Sequence, residues 1–222
     1  YFFGLAIGQL IYGPISDRIG RKPPLYFGLC LYIVASLLCV FAQDEWSLIA
    51  ARILQALGGC VGVVMARAAI RDRLDMHSAA QAFASMMIVT AIAPIIAPSL
   101  GAWVLMFYEW NVIFLVLMGC GLLSLACLHF LFKETLELER RLKLNFQQVI
   151  SLYRCIFQDP SFRRPLYAGC FSGAVMFCYI SASSAILMDR YQLTEQQFAY
   201  AFGANAVGIM LFSTLNKRLA GR

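Results

Sequence analysis

The residues best suited to chemistry in this chain are polar and ionisable groups set into an apolar background. The stretch GPISDRIGRKPP, at 13–24, holds one acid, Asp17, and three bases, Arg18, Arg21 and Lys22, between two oily flanks. Bases at such a place fix which side of a membrane the stretch occupies. Arg52, in LIAARILQALGGCVGVV, lies about six residues inside an apolar block, on the order of 9 Å deep if helical. An arginine at a helix centre costs roughly 2.5–3.5 kcal/mol on insertion scales, so it faces a water-filled cavity or a partner, or snorkels to the headgroups. Gln55 lies three residues on, on the same side, and the pair is a candidate for coupling or for a substrate path. Ser172, Tyr179, Ser181, Ser183 and Ser184 share one block and Asn205 lies in the next. These groups either bond back to their own helix or line a cavity. The eight cysteines show no CxxC spacing, and seven lie inside apolar blocks, which marks packing residues rather than a metal or disulfide set.

Composition says what must position these groups. The chain is 61% hydrophobic and 14% charged, with a mean hydropathy of +0.72; soluble domains hold about 45–50% apolar and about 25% charged residues. The apolar residues form blocks at 25–42, 46–70, 79–107, 112–132, 166–188 and 198–215. Each is near or above the roughly 18–20 residues that cross about 30 Å of hydrocarbon as a helix. A shorter block at 1–15 lacks the charged start and cleavage site of a signal peptide and reads as a helix whose beginning lies outside this sequence. The expectation is an all-α, polytopic membrane bundle. Gly58 and Gly62 have the GxxxG spacing that lets another backbone approach. Pro94 and Pro98, four apart, with Ala93, Ala97 and Gly101 as a small-residue stripe, predict a bend or a rocking contact.

Charge orients the blocks. Labelled alternately, the gaps at 16–24, 71–78, 133–164 and 216–222 hold 15 of the 18 lysines and arginines. The gaps at 43–45, 108–111 and 189–197 hold only Arg190. The positive-inside rule makes the first set cytoplasmic, so the net charge of +6 is a topology signal and not a nucleic-acid footprint. Outer gaps as short as QDE and YEWN allow only tight hairpins. The longer inner gap continues as NFQQVISLYRCIF, with Phe146, Val149, Ile150, Tyr153 and Phe157 at helical spacing and Asn145 and Gln148 placed as a cap and its box partner. This reads as an interfacial amphipathic helix or as a plain linker between two bundles.

The spacing G-x-x-x-D-R-x-G-R-K, carried by Gly13, Asp17, Arg18, Gly20, Arg21 and Lys22, resembles the signature loop between helices two and three of the major facilitator superfamily. The block with Arg52, Gln55 and Gly58 is similar to that superfamily's fourth-helix motif. APIIAPSLGAW resembles its fifth-helix antiporter motif, with Ala97 and Ala102 where the motif has glycines. GQLIYGPISDRIGRKP, RDR at 71–73, APIIAP and KET at 133–135 resemble the bicyclomycin/chloramphenicol resistance branch of drug exporters, from residue 1 to about 135 and more loosely beyond.

The resemblance implies helices two to eight of a twelve-helix fold. Residues 1–133 would be the N-terminal half without its first helix, 134–161 the cytoplasmic loop between halves, and 162–222 the start of the second half. LNKRLAGR at 215–222 resembles a degraded echo of SDRIGR, as paired halves require. The resemblance further implies alternating access. Asp17 would face the positive N-terminus of a helix in the other half, a contact that gains about 0.3–1 kcal/mol. Arg21 would orient Asp17, while Gly13 and Gly20 would allow close approach and a tight turn. No Asp, Glu or Lys lies inside any block, so the main proton-binding acid of such a carrier is expected on a helix outside this sequence.

The function expected is proton-coupled efflux of small lipophilic drugs by a monomer in a bacterial inner membrane. The proton gradient would be its energy source, with no other cofactor, no metal, no nucleic acid and no enzymatic activity. A nutrient or metabolite importer is the alternative, because the loop motif is common to both. A seven-helix receptor is more remote: a retinal pigment needs an intramembrane lysine, and all four lysines lie in inner gaps.

Overall fold

The computed structural model describes residues 1–142, 145–194, 196–198, 200–205 and 207–208, without the side chains of Ala91, Pro94, Ile95, Pro98, Arg140 and Phe146. Its elements are helices α1 (Phe2–Ile19), α2 (Lys22–Val40), α3 (Glu45–Arg73), α4 (Met76–Leu105), α5 (Val112–Leu131), α6 (Phe146–Gln158) and α7 (Pro160–Ser184), with a π-helical turn at Ala185–Arg190 continuing α7. No strand occurs among the described residues. Helices suit this composition because each satisfies its own backbone hydrogen bonds where lipid offers none. By length and apolarity, α2, α3, α5 and the stretch Pro160–Arg190 can cross a membrane.

The helices outrun the apolar blocks on the basic side. The 16–24 gap, expected as a loop, is helical except for Gly20 and Arg21: α1 continues through Asp17 and Arg18, and α2 begins at Lys22. α3 likewise continues to Arg73, and α7 begins before Arg163 and Arg164. Hydropathy marks where hydrocarbon ends, whereas a helix ends where its backbone bonds are capped. The caps are legible once sought. Asp44 accepts the Ser47 N–H at 2.9 Å to start α3, Asp159 accepts the Ser161 N–H at 2.8 Å to start α7, and Pro160 occupies a first-turn position that needs no donor.

The chain packs as two compact units, one of residues 1–86 and 107–144, the other of 87–106 and 145–222. In the first, α3 packs against α1 and α2, and α2 also packs against α5. Its core joins Tyr12, Leu25, Cys60, Val61, Met65 and Leu128. Small residues set the helix spacing. A Cβ at Gly58 would lie 2.5 Å from the Tyr32 nitrogen and 2.6 Å from the Gly28 oxygen, so α2 and α3 touch backbone to backbone there. A Cβ at Gly4 would lie 2.6 Å from the Ile53 oxygen, the same device between α1 and α3. Gly62 behaves otherwise: a Cβ there would meet nothing within 4 Å among the described residues. Of the GxxxG pair expected at Gly58 and Gly62, Gly58 makes the close approach among the described residues, and its partner there is Gly28.

In the second unit, α6 packs against α7, with the Phe157 and Phe162 rings edge-on at 6.5 Å. The Gln148 side chain accepts the Asn145 N–H at 2.7 Å, as its placement predicts. Beyond the π-helical turn, Thr194 and Gln197 form a reciprocal box: the Thr194 N–H reaches Gln197 Oε1 at 3.0 Å and the Gln197 N–H reaches Thr194 Oγ1 at 3.3 Å.

Candidate functional site

The first unit concentrates its charge at the end where α1 and α3 finish and α2 starts. Ser16 and Asp17 come from the last turn of α1, Asp72 from the last turn of α3, and Glu134 from the segment that leaves α5. Gly20 turns the chain with φ of +103°, a backbone that a side chain resists. The next residue, Arg21, is only 6% exposed and organises the group. Its Nη1 donates to Asp17 Oδ1 at 2.5 Å and to Ser16 Oγ at 2.6 Å, while Nε and Nη2 grip the two Asp72 oxygens at 2.9 and 3.3 Å. A guanidinium presents five donors in a rigid fork, which suits one cation to two carboxylates and a hydroxyl. Burial works against the Arg21 charge, but hydrogen bonds to Asp72 and Asp17 outweigh it and hold the group above its ordinary range.

The segment after α5 lies across this cluster. Glu134 Oε1 accepts the N–H groups of Arg21, Thr135 and Leu136 at 2.9, 3.0 and 3.1 Å, and Oε2 accepts the Lys22 N–H at 3.1 Å. Partial burial opposes its ionisation, yet these backbone donors prevail and hold the Glu134 carboxyl below the usual range. Arg73 Nη2 donates to the Glu134 carbonyl at 2.9 Å, the Leu142 N–H reaches the Asp17 carbonyl at 2.9 Å, and Leu136 is buried. These contacts place the stretches at 16–22, 72–73 and 134–142 at one end of the unit, as the alternation of charged gaps requires.

Of the residues expected in the opening motif, the structure brings Asp17, Gly20 and Arg21 together. Arg18 is exposed, and the Lys22 ammonium sits 5.9 Å from the Tyr26 ring centre. A Cβ at Gly13 would meet nothing within 4 Å, so the close approach expected there is not made among the described residues. Sequence reasoning missed the roles of Ser16, Asp72 and Glu134. The available signal was a carboxylate inside RDR and another inside KET, each in a gap of the basic set.

A second polar group lies deeper, in α2 and α3. Arg52 Nη1 donates to Gln55 Oε1, Gln55 Nε2 donates to Ser36 Oγ at 2.7 Å, and Ser36 Oγ donates to the Tyr32 carbonyl at 2.7 Å. Gln55 and Ser36 are fully buried. The Arg52 guanidinium lies over the rings of Tyr1 and Phe114, 4.4 and 5.4 Å from their centres. Arg52 therefore has partners, one of the outcomes its depth allows, and Gln55 is the first of them. Tyr1 and Tyr32 also line a cavity of about 650 Å³ walled by α2, α3 and α5, with Gly62, Cys120 and Ser124 in its lining.

The remaining candidates belong to the second unit. α4 is continuous through Pro94 and Pro98, whose side chains lie outside the described residues. A Cβ at Gly101 would meet nothing within 4 Å among the described residues. In the second unit, Tyr179 stacks on Phe202 with ring centres 5.5 Å apart, and Ser172 and Asn205 are exposed. The stretch at 215–222, with its expected echo, lies outside the described residues, as does Lys143. Among the described residues, no cluster of His, Cys, Asp and Glu is arranged to hold a metal ion.

Comparison with known proteins agrees with this architecture. The profile of the Major Facilitator Superfamily matches residues 1–222. The chain is 34% identical to the MFS-type transporter YdgK of Bacillus subtilis, over 98% of this chain and 55% of that one. It is 28% identical to a bicyclomycin resistance protein homolog of Haemophilus influenzae, over 98% and 55%, and 28% identical to the multidrug resistance protein MdtM of Salmonella typhimurium, over 96% and 52%. The chain thus spans about half the length of the curated relatives it matches. The human organic anion transporter MFSD10 superposes with a TM-score of 0.69 at 16% identity, over 92% of this chain and 53% of that one, and shares the fold.

Proposed function

The chain belongs to the major facilitator superfamily, and from that premise we propose that the complete protein exports small lipophilic drugs in exchange for protons by alternating access. The observation that carries this reading is the Arg21 cluster. Arg21 is buried and holds one oxygen of Asp17, while the Asp17 side chain remains 38% exposed. A carboxylate so oriented and still open on one face can receive the positive N-terminus of a helix from the other half. Docking there closes the cytoplasmic mouth, and undocking opens it. The Arg52–Gln55–Ser36 ladder, beside the cavity, is the intramembrane element of the path, where a fixed positive charge can respond to substrate or to a proton on a neighbouring acid.

The drug class follows the relatives named for bicyclomycin and multidrug resistance. In this reading residues 1–133 and 162–222 belong to two halves joined by the loop at 134–161. The protein acts as a monomer in the bacterial inner membrane, and the proton gradient is its energy source.

The test is drug tolerance in a hypersensitive bacterial strain carrying the complete gene. Wild type raises tolerance to bicyclomycin or other lipophilic drugs, and Asp17→Asn abolishes the gain with expression intact. Unchanged susceptibility, or gene-dependent net uptake of labelled drug, overturns the proposal. Arg52→Ala shifts the pH dependence of drug-driven proton release; an unchanged profile makes Arg52 structural only.

A further inference from the structure

The start of α2 poses a capping problem. Its N-cap is Arg21, whose side chain makes no cap hydrogen bond, and Pro23 and Pro24 bring no N–H. The free donors of this first turn are therefore the N–H groups of Arg21 and Lys22. Glu134 accepts both, one on each carboxylate oxygen, at 2.9 and 3.1 Å. A carboxylate at a helix N-terminus is favoured by the helix dipole and makes strong, charge-assisted bonds. The same carboxylate takes two N–H groups of its own segment, at Thr135 and Leu136, so it ties the start of α2 to the chain leaving α5. Gly20 makes room for it: a Cβ there would lie 2.7 Å from Glu134 Oε2 and 2.9 Å from Arg141 Nη2.

We propose that Glu134 is a positioning residue of the inner gate: it clamps the Gly20–Arg21 turn so that the Arg21 guanidinium reaches Asp17 and Asp72 together. The segment at 134–142 is then a strap over the gate as well as a connection between halves. The charged groups around Glu134 are Arg21 at the N-cap of α2 and Lys22 in its first turn, Asp17 of α1, Asp72 and Arg73 of α3, and Arg141 of the strap. Glu134 touches no substrate. It acts through the backbone of Arg21, and its role rests on reading Asp17 and Arg21 as the gate.

The experiment uses the complete protein, cleared of its other reactive cysteines, with Arg18→Cys as an exposed thiol probe beside the gate. Labelling from the cytoplasmic side is measured without substrate, alongside KM and maximal rate for drug efflux. Glu134→Ala raises the labelling rate roughly ten-fold, the scale of losing a charge-assisted hydrogen bond. It lowers the maximal rate by a similar factor and leaves KM unchanged. Glu134→Asp recovers most of both readouts, Glu134→Gln recovers less, and Gly20→Ala reproduces Glu134→Ala. Glu139→Gln, on the same segment but exposed, changes neither. The proposal is overturned if Glu134→Ala labels and transports like wild type. It is equally overturned if labelling, KM and thermal stability all shift together and Glu134→Asp performs no better than Glu134→Ala. A failure of the efflux reading is distinguishable, because wild type would then move no drug while the substrate-free labelling still reports on the strap.

Discussion

Arg21 does more than add to the charge of its gap. It serves two carboxylates and a hydroxyl from inside the protein, which a point charge cannot do. Arg21→Lys keeps the charge and loses the fork, and is expected to cost about 1–3 kcal/mol in detergent thermal unfolding. Arg18→Lys, at an exposed site, changes nothing measurable. Glu134 carries a pH signature. Its folded pKa is depressed, so its stabilisation is complete above the unfolded value of about 4.3 and is lost as pH falls through the lower folded value. The melting temperature of wild type should therefore decline on acidification below about pH 4.5, and Glu134→Gln should flatten that limb. Asp17 and Arg21 could be paired from their i,i+4 spacing alone. Asp72 and Glu134 could not, because they stand 51 and 113 residues from Arg21.

At the scale of elements, α2 and α3 show how a spacing motif misleads when the helix face is unknown. Gly58 and Gly62 lie one turn apart, yet Gly58 meets the backbone of α2 and Gly62 faces a cavity. Gly58→Ala must push the two helices apart and is expected to destabilise by about 1–3 kcal/mol. Gly62→Ala fits open space and removes the helix penalty of glycine, so it is neutral or stabilising by up to about 1 kcal/mol. Unfolding of the two variants side by side decides between the faces. The apolar arc of α6 was legible because an amphipathic period reports on one helix alone. Contacts between helices depend on how each is rotated about its axis, and no single-helix pattern contains that.

For the whole molecule, topology is the property that can be checked most directly. A cysteine at Glu109 should react with a membrane-impermeant thiol reagent from outside only, and a cysteine at Glu139 from the cytoplasm only. The reverse pattern would invert the assignment of sides. The sequence by itself determined that this protein is an all-α membrane bundle, assigned its basic gaps to one side as an expectation, and singled out Arg52 as a charge inside an apolar block. Hydropathy and charge act additively along the chain against a bilayer that penalises every unpaired group, so they need no knowledge of neighbours. Only the tertiary structure decided that Asp17 and Asp72 share one guanidinium, that Gly28 is the partner of Gly58, and that Glu134 caps a helix it does not belong to. Those facts arise where segments distant in sequence meet at short range, and hydrogen bonds and van der Waals contacts select partners only at that range.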